Sequence, residues 1–99
     1  MARIVYFSLR FTVQLQNILT FYDERNGTDL YSRRLMKCLT ESINRITEMP
    51  TASSPSTRPD IRFFYLMGFT IIFRFNSRQI TMLSIRSSER KPLRIYRKK

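Results

Sequence analysis

Two different spacings of apolar residues divide the chain. In residues 9–49 the apolar side chains recur at every third or fourth position. In residues 61–85 the period of the pattern is closer to two residues. The first spacing predicts helices, and the second predicts β-strands. The stretch RIVYF at residues 3–7 is rich in strand-forming residues and predicts one further strand at the start.

Two helices joined by a short turn are predicted in the first half. Ser8 can cap the first helix, and segment 23–29 ends it with an Asn-Gly turn. Thr28 or Asp29 can cap the second helix, which runs to about Met49. The apolar stripes of an antiparallel hairpin would be Phe11, Leu15, Ile18, Leu19 and Tyr22 on one helix and Leu35, Leu39, Ile43 and Ile46 on the other.

The second half predicts an exposed loop followed by an antiparallel meander. Residues 50–60 contain three prolines and no apolar run, which is typical of a loop. Three strands follow, separated by Gly68 and by a turn at residues 76–78; they are predicted at 61–67, 69–75 and 79–85. The helices would cover one face of a twisted antiparallel sheet. The fold class is therefore α+β, in the order β-α-α-β-β-β, within one domain spanning residues 1–99.

The uneven distribution of charge along the chain predicts a binding surface. The net charge is +11, and residues 51–99 carry eleven of the 18 Lys and Arg residues but only two of the seven Asp and Glu residues. Fourteen of the basic residues are arginines, whose planar guanidinium binds phosphate and carboxylate with two hydrogen bonds. The asymmetry predicts a partner that is a polyanion or an acidic protein.

Several classes of protein are excluded or disfavoured by composition. The absence of histidine rules out Ser-His-Asp and Cys-His nucleophile systems and a His-ligated metal site. Cys38 is the only cysteine, which is typical of a reducing compartment. The longest apolar run, residues 63–73, is about half the length of a membrane span. We expect a cytoplasmic protein without a metal, another cofactor or a membrane contact.

In this order of elements, four stretches resemble the RelE/ParE superfamily of toxins from type II toxin–antitoxin systems. YFSLRFTVQLQNILTFY (6–22) is similar to the first strand and helix of that superfamily, and INRITEMP (43–50) to its usual helix end. IRFFYLMGFTIIFRF (61–75) resembles its central hairpin, and ITMLSIRSSERKP (80–92) its last strand and the basic turn that follows. The resemblance covers nearly the whole chain and rests on the order and spacing of degenerate motifs.

The resemblance implies one of two activities. RelE-like members are metal-independent ribonucleases that cut mRNA in the ribosomal A site, and ParE-like members bind DNA gyrase without cleaving RNA. Arg90 and Tyr96 match the C-terminal arginine and tyrosine of RelE-like enzymes. Thr70 stands where those enzymes have a strand arginine, and Ile61 and Phe63 stand where they have lysines. A third alternative is a plain basic nucleic-acid-binding module.

We predict a RelE-like mRNA endoribonuclease, with a ParE-like gyrase inhibitor as the alternative. Without histidine, proton transfer falls to tyrosine, lysine or a carboxylate, and arginine stabilises the charge that develops on phosphorus. The predicted catalytic residues are Arg90, Tyr96, Arg86 and Arg62. The predicted RNA-binding residues are Arg74, Lys91, Arg94 and Arg97. The resemblance also implies a cognate antitoxin with an acidic or amphipathic segment, and the ribosome with its mRNA, or alternatively gyrase, as the target.

Overall fold

A computed structural model describes residues 3–88. The strands are β1 (Ile4–Phe7), β2 (Ser54–Pro55), β3 (Ile61–Leu66), β4 (Phe69–Phe75) and β5 (Gln79–Ser87), and the helices are α1 (Leu9–Asn26) and α2 (Leu30–Glu48). The predicted α+β class is confirmed: a strand, a helix hairpin and then a sheet built mainly from the second half. Among the described residues, neither helix is long and apolar enough to cross a membrane.

The strands form one five-stranded sheet in the order β1-β5-β4-β3-β2. The predicted meander is present, because β3 pairs with β4 and β4 with β5, both antiparallel. β1 lies beside β5 and runs parallel to it, so the sheet is not antiparallel throughout. The parallel pair is compatible with the topology, because α1, α2 and the strands β2–β4 lie between β1 and β5 in sequence and leave ample chain for the crossover that a parallel pair requires.

The core lies between one sheet face and the two helices. Its fully enclosed members include Phe11 of α1 and Leu35 of α2, each 0% exposed, and they pack with Ile71, Phe73, Ile80, Met82 and Ile85 of the sheet. The four aliphatic residues predicted for the inner stripe of α2 are all buried. On α1 only Phe11 is buried, and the other predicted stripe residues are half-buried against the core.

The start of α1 and the turn between the helices follow local sequence signals. The Ser8 side chain caps α1 by accepting a hydrogen bond from the N–H of Phe11, as predicted. α1 continues to Asn26, four residues into the segment predicted to end it, and Gly27 ends it in the left-handed conformation (φ 69°). Glycine adopts this conformation without a Cβ clash and is therefore the common residue after a helix end. Asp29 is the N-cap residue of α2, but its side chain makes no capping bond.

The proline-rich segment is more ordered than the sequence predicted. Residues Pro50–Ala52 form a 3₁₀ turn, and Pro50 is buried. Ser54–Pro55 forms β2, which pairs with β3 at the edge of the sheet. The prediction of a wholly exposed loop is therefore wrong at this end. Proline fits an edge strand because it has no N–H to donate to a further strand.

Candidate functional site

The sheet face turned away from the helices, here called the distal face, carries two cross-strand rows of side chains. Tyr65, Thr70 and Arg86 face one another across β3, β4 and β5. Phe63, Ile72 and Ser84 form the next row. The rows combine an exposed aromatic ring, a guanidinium and hydroxyl groups on adjacent strands. Such a surface can contact both the apolar and the anionic groups of a partner.

A cleft of about 400 Å³ opens on the distal face at the C-terminal end of β5. Arg86 and Arg10 are both exposed and contribute to its wall, although one lies on β5 and the other on the first turn of α1. The remaining described lining residues are Ser8, Ile72, Leu83 and Ser84. Two guanidinium groups therefore line one small depression, and neither takes part in an ion pair within residues 3–88.

A β-bulge in β5 sets which residues reach this cleft. Met82 pairs with Phe73 and Ser84 pairs with Ile72, so Leu83 is an extra residue on β5. A bulge reverses the side-chain alternation beyond it. In regular alternation Ser84 would face the helices with Met82; with the bulge, Ser84 and Arg86 reach the distal face.

The start of α1 holds the bulged part of β5 in place. β1 pairs with β5 only as far as Met82, so the next backbone groups need other partners. The hydroxyl of Ser8 donates to the carbonyl oxygen of Leu83 at 3.0 Å, and Oε1 of Gln14 accepts from the N–H of Ile85 at 2.9 Å. Helix side chains thus replace the missing strand beside the cleft.

Arg74, one of the predicted RNA-binding residues, lies in a different depression on the distal face. This cavity of about 380 Å³ is lined by Asp60, Arg74, Phe75, Asn76, Gln79 and Thr81. Arg74 pairs with Ile61 across β3 and with Thr81 across β5, two rows beyond Arg86 on the same face. The structure therefore places Arg74 and Arg86 on one surface but not in one pocket.

Arg62, a predicted catalytic residue, lies on the opposite side of the sheet. It pairs with the buried Phe73, whereas Arg86 pairs with Thr70, so the two arginines point to opposite faces. The Arg62 guanidinium donates to the carbonyl oxygen of Ser53 at 2.6 Å and to that of Thr51 at 3.1 Å. Its contacts tie the proline-rich segment to β3. The structure does not bring Arg62 together with Arg86.

The other predicted site residues lie outside the described residues: Arg90 and Tyr96 of the catalytic set, and Lys91, Arg94 and Arg97 of the RNA-binding set. Their assignments stay predictions. Within residues 3–88 no group of three potential metal-ligating side chains is present.

Arg10, Ser8 and Ser84 were not singled out from the sequence as site residues. Arg10 lies on a helix remote in sequence from the basic C-terminal half, and only the parallel placement of β1 beside β5 brings it to Arg86. The polarity of Ser84 within an apolar strand was the one available signal.

Comparison with known proteins gives a structural match. No family model matches the chain, and no curated protein matches it significantly in sequence. A solved chain described as "Chromosomal ParDE TA system from P. aeruginosa" superposes with a TM-score of 0.70. The chain has a RelE/ParE-like fold. The match covers 87% of this chain and 96% of the other at 18% sequence identity, so what the two share is the fold.

Proposed function

We propose that this protein is the toxin of a type II toxin–antitoxin system and that it acts by binding its target rather than by cleaving RNA. The toxin assignment rests on the structural match to a chain of a ParDE system over almost the full length of that chain. The match is to a system with a ParE-type toxin, which favours the gyrase-binding alternative over the ribonuclease.

The character of the distal face supports the binding mode. Three positions where RelE-like enzymes carry basic residues are Ile61, Phe63 and Thr70 in this chain. The strand register places all three on the distal face, where a bound RNA would meet them. An isoleucine, a phenylalanine and a threonine cannot neutralise the charge that develops on phosphorus during cleavage. These three positions are better suited to contacts with a protein surface.

The ribonuclease is the second candidate, and Arg86 favours it. This residue lies on the distal face and lines the same cleft as Arg10. If Arg90 and Tyr96 also reach this end of the sheet, they would supply a further cation and a proton-transfer group. The ribonuclease hypothesis therefore requires that RNA cleavage depend on both Arg90 and Tyr96.

We propose an antitoxin as the regulatory partner of either activity. An apolar groove of about 230 Å³ runs between α1 and α2, with Phe7 (52% exposed) and Met36 (38% exposed) at its rim. An amphipathic antitoxin segment can bury such side chains, and acidic residues on it would complement the net charge of +11. Because the antitoxin and both candidate targets are cytoplasmic, we propose the same location for this protein.

Inducing the protein alone in bacterial cells, with protein and DNA synthesis pulse-labelled separately, tests the proposal. We expect DNA synthesis to stop first and a gyrase supercoiling assay to be inhibited by the purified protein. Early arrest of translation, with new mRNA 5′ ends that disappear in the Arg90→Ala/Tyr96→Phe double variant, would instead establish the ribonuclease. Normal growth and normal synthesis of both polymers would rule out the toxin assignment.

A further inference from the structure

Among the described residues the hydroxyl of Ser84 has no hydrogen-bond partner, although Ser84 is only 8% exposed. Within residues 3–88 no other polar group bonds to it, and it lies on the wall of the cleft that contains Arg10 and Arg86. A buried hydroxyl left unpaired loses the hydrogen bonds that it made to water and destabilises the fold. A buried polar side chain without a partner is uncommon in proteins and often marks a place where a ligand completes the bonding.

The cleft around this hydroxyl has the chemistry of an oxyanion site. Arg10 approaches from α1 and Arg86 from β5, so two guanidinium groups and one hydroxyl donor line a single depression. The described lining residues include no carboxylate that would neutralise the arginines. Ile72 and Leu83 supply the apolar part of the lining.

We propose that this cleft binds a phosphate group, held by Arg10, Arg86 and Ser84. Three separate donors match a phosphate, which offers more acceptor oxygens than a carboxylate does. The β-bulge supports the proposal, because the extra residue Leu83 is what turns Ser84 and Arg86 toward the cleft. The phosphate can belong to a polynucleotide backbone or be a free ion. The inference does not depend on the toxin assignment.

Binding of the purified full chain to fluorescently labelled single-stranded RNA and DNA oligonucleotides tests the proposal by fluorescence anisotropy. We expect Arg10→Gln and Arg86→Gln each to weaken binding about tenfold. Each should also reduce the slope of log K against log salt concentration by about 0.7. Ser84→Ala, which changes no charge, should weaken binding roughly tenfold because it removes a hydrogen bond to an anion. Arg34→Gln is the matched control, since Arg34 is an exposed arginine of α2 away from the cleft.

Competition identifies the chemical class of the ligand. Inorganic phosphate should displace the oligonucleotide, whereas acetate at the same ionic strength should not. Should acetate compete equally well, the cleft would be a carboxylate site and the proposal would be wrong. An equal loss in Arg34→Gln and Arg86→Gln, with no effect of Ser84→Ala, would show diffuse attraction by net charge and would also overturn it.

An NMR titration of the same protein with inorganic phosphate separates the two sources of phosphate. Changes confined to the amides of Ser84, Ile85 and Arg86, without oligonucleotide binding, support a site for a small phosphate. Oligonucleotide binding that depends on all three cleft residues supports a polynucleotide. If neither phosphate nor an oligonucleotide perturbs the cleft, the proposal fails, whatever the protein does in cells.

Discussion

Gln14 of α1 and Ile85 of β5 are joined by a hydrogen bond between Oε1 of the glutamine and the backbone N–H of the isoleucine, 2.9 Å long. The bond lies one residue from Ser84, within the bulged part of β5 that β1 does not reach. The glutamine therefore takes the place of a neighbouring strand. The same hydrogen bond therefore stabilises the contact between α1 and the sheet and holds the part of β5 that carries the proposed phosphate cleft.

Replacing Gln14 tests this coupling. We expect Gln14→Leu to lower the free energy of unfolding by about 1–3 kcal/mol, because the N–H of Ile85 would lose its partner in a half-buried place. Gln14→Glu keeps an acceptor and should lose less. Gln16→Leu is the surface control, since the side chain of Gln16 makes only a long 3.5 Å contact with Thr20. Urea unfolding measures the free energy of unfolding of all three variants. Equal losses in Gln14→Leu and Gln16→Leu would contradict a stabilising role of the Gln14 hydrogen bond.

Arg62 is expected to stabilise the fold rather than to touch the target. Its guanidinium donates to two loop carbonyl groups, and hydrogen bonds from a charged donor contribute about 1.5–3 kcal/mol. Arg62→Ala should therefore lower the free energy of unfolding by about 2 kcal/mol and expose residues 50–60 to proteases. Arg58→Ala is the control, because the ion pair of Arg58 with Asp60 is exposed and contributes less than about 1 kcal/mol. Full stability of Arg62→Ala together with loss of toxicity would instead support its predicted catalytic role.

A half-buried contact between Ser32 and Asp23 joins the two helices of the hairpin. The hydroxyl of Ser32 donates to Oδ1 of Asp23 at 2.5 Å, and Ser32 is only 7% exposed. We expect Ser32→Ala to lower the free energy of unfolding by about 1–3 kcal/mol, because it leaves a carboxylate oxygen without its donor. Ser77→Ala, in the exposed turn between β4 and β5, should change it by less than about 0.5 kcal/mol. Matching losses in the two variants, measured by thermal unfolding, would exclude this contact as a source of stability.

Much of the fold was predictable because its signals are local. The spacing of Leu35, Leu39 and Ile43 requires a helix with one apolar face, and Ser8 and Gly27 mark where helices start and end. The edge strand β2 was missed because two residues carry no periodicity, and prolines there are equally typical of a loop.

The candidate cleft was not predictable, because it depends on register. In a regular strand Ser84 would lie on the same face as Ile80 and Met82, and Ile85 would lie on the opposite face. The bulge exchanges the two faces, so that Ile85 is 1% exposed in the core and Ser84 lies at the cleft. Bringing Arg10 beside Arg86 also requires β1 to run parallel to β5, which follows from chain crossover rather than from any local motif.

The turn between β3 and β4 contains a backbone strain that substitution can measure. Met67 has φ 50° and Gly68 has φ 83°, so both central residues of a two-residue hairpin turn are left-handed. Such turns favour asparagine followed by glycine, and β-branched residues are disfavoured there because the branch at Cβ clashes with the backbone. Met67→Ile should therefore lower the free energy of unfolding by about 1–2 kcal/mol more than Met67→Leu, which has the same volume without the branch at Cβ. Urea unfolding of the two variants measures the difference. Equal stability would mean that the turn relaxes to another conformation, and the pairing of Leu66 with Phe69 would have to shift with it.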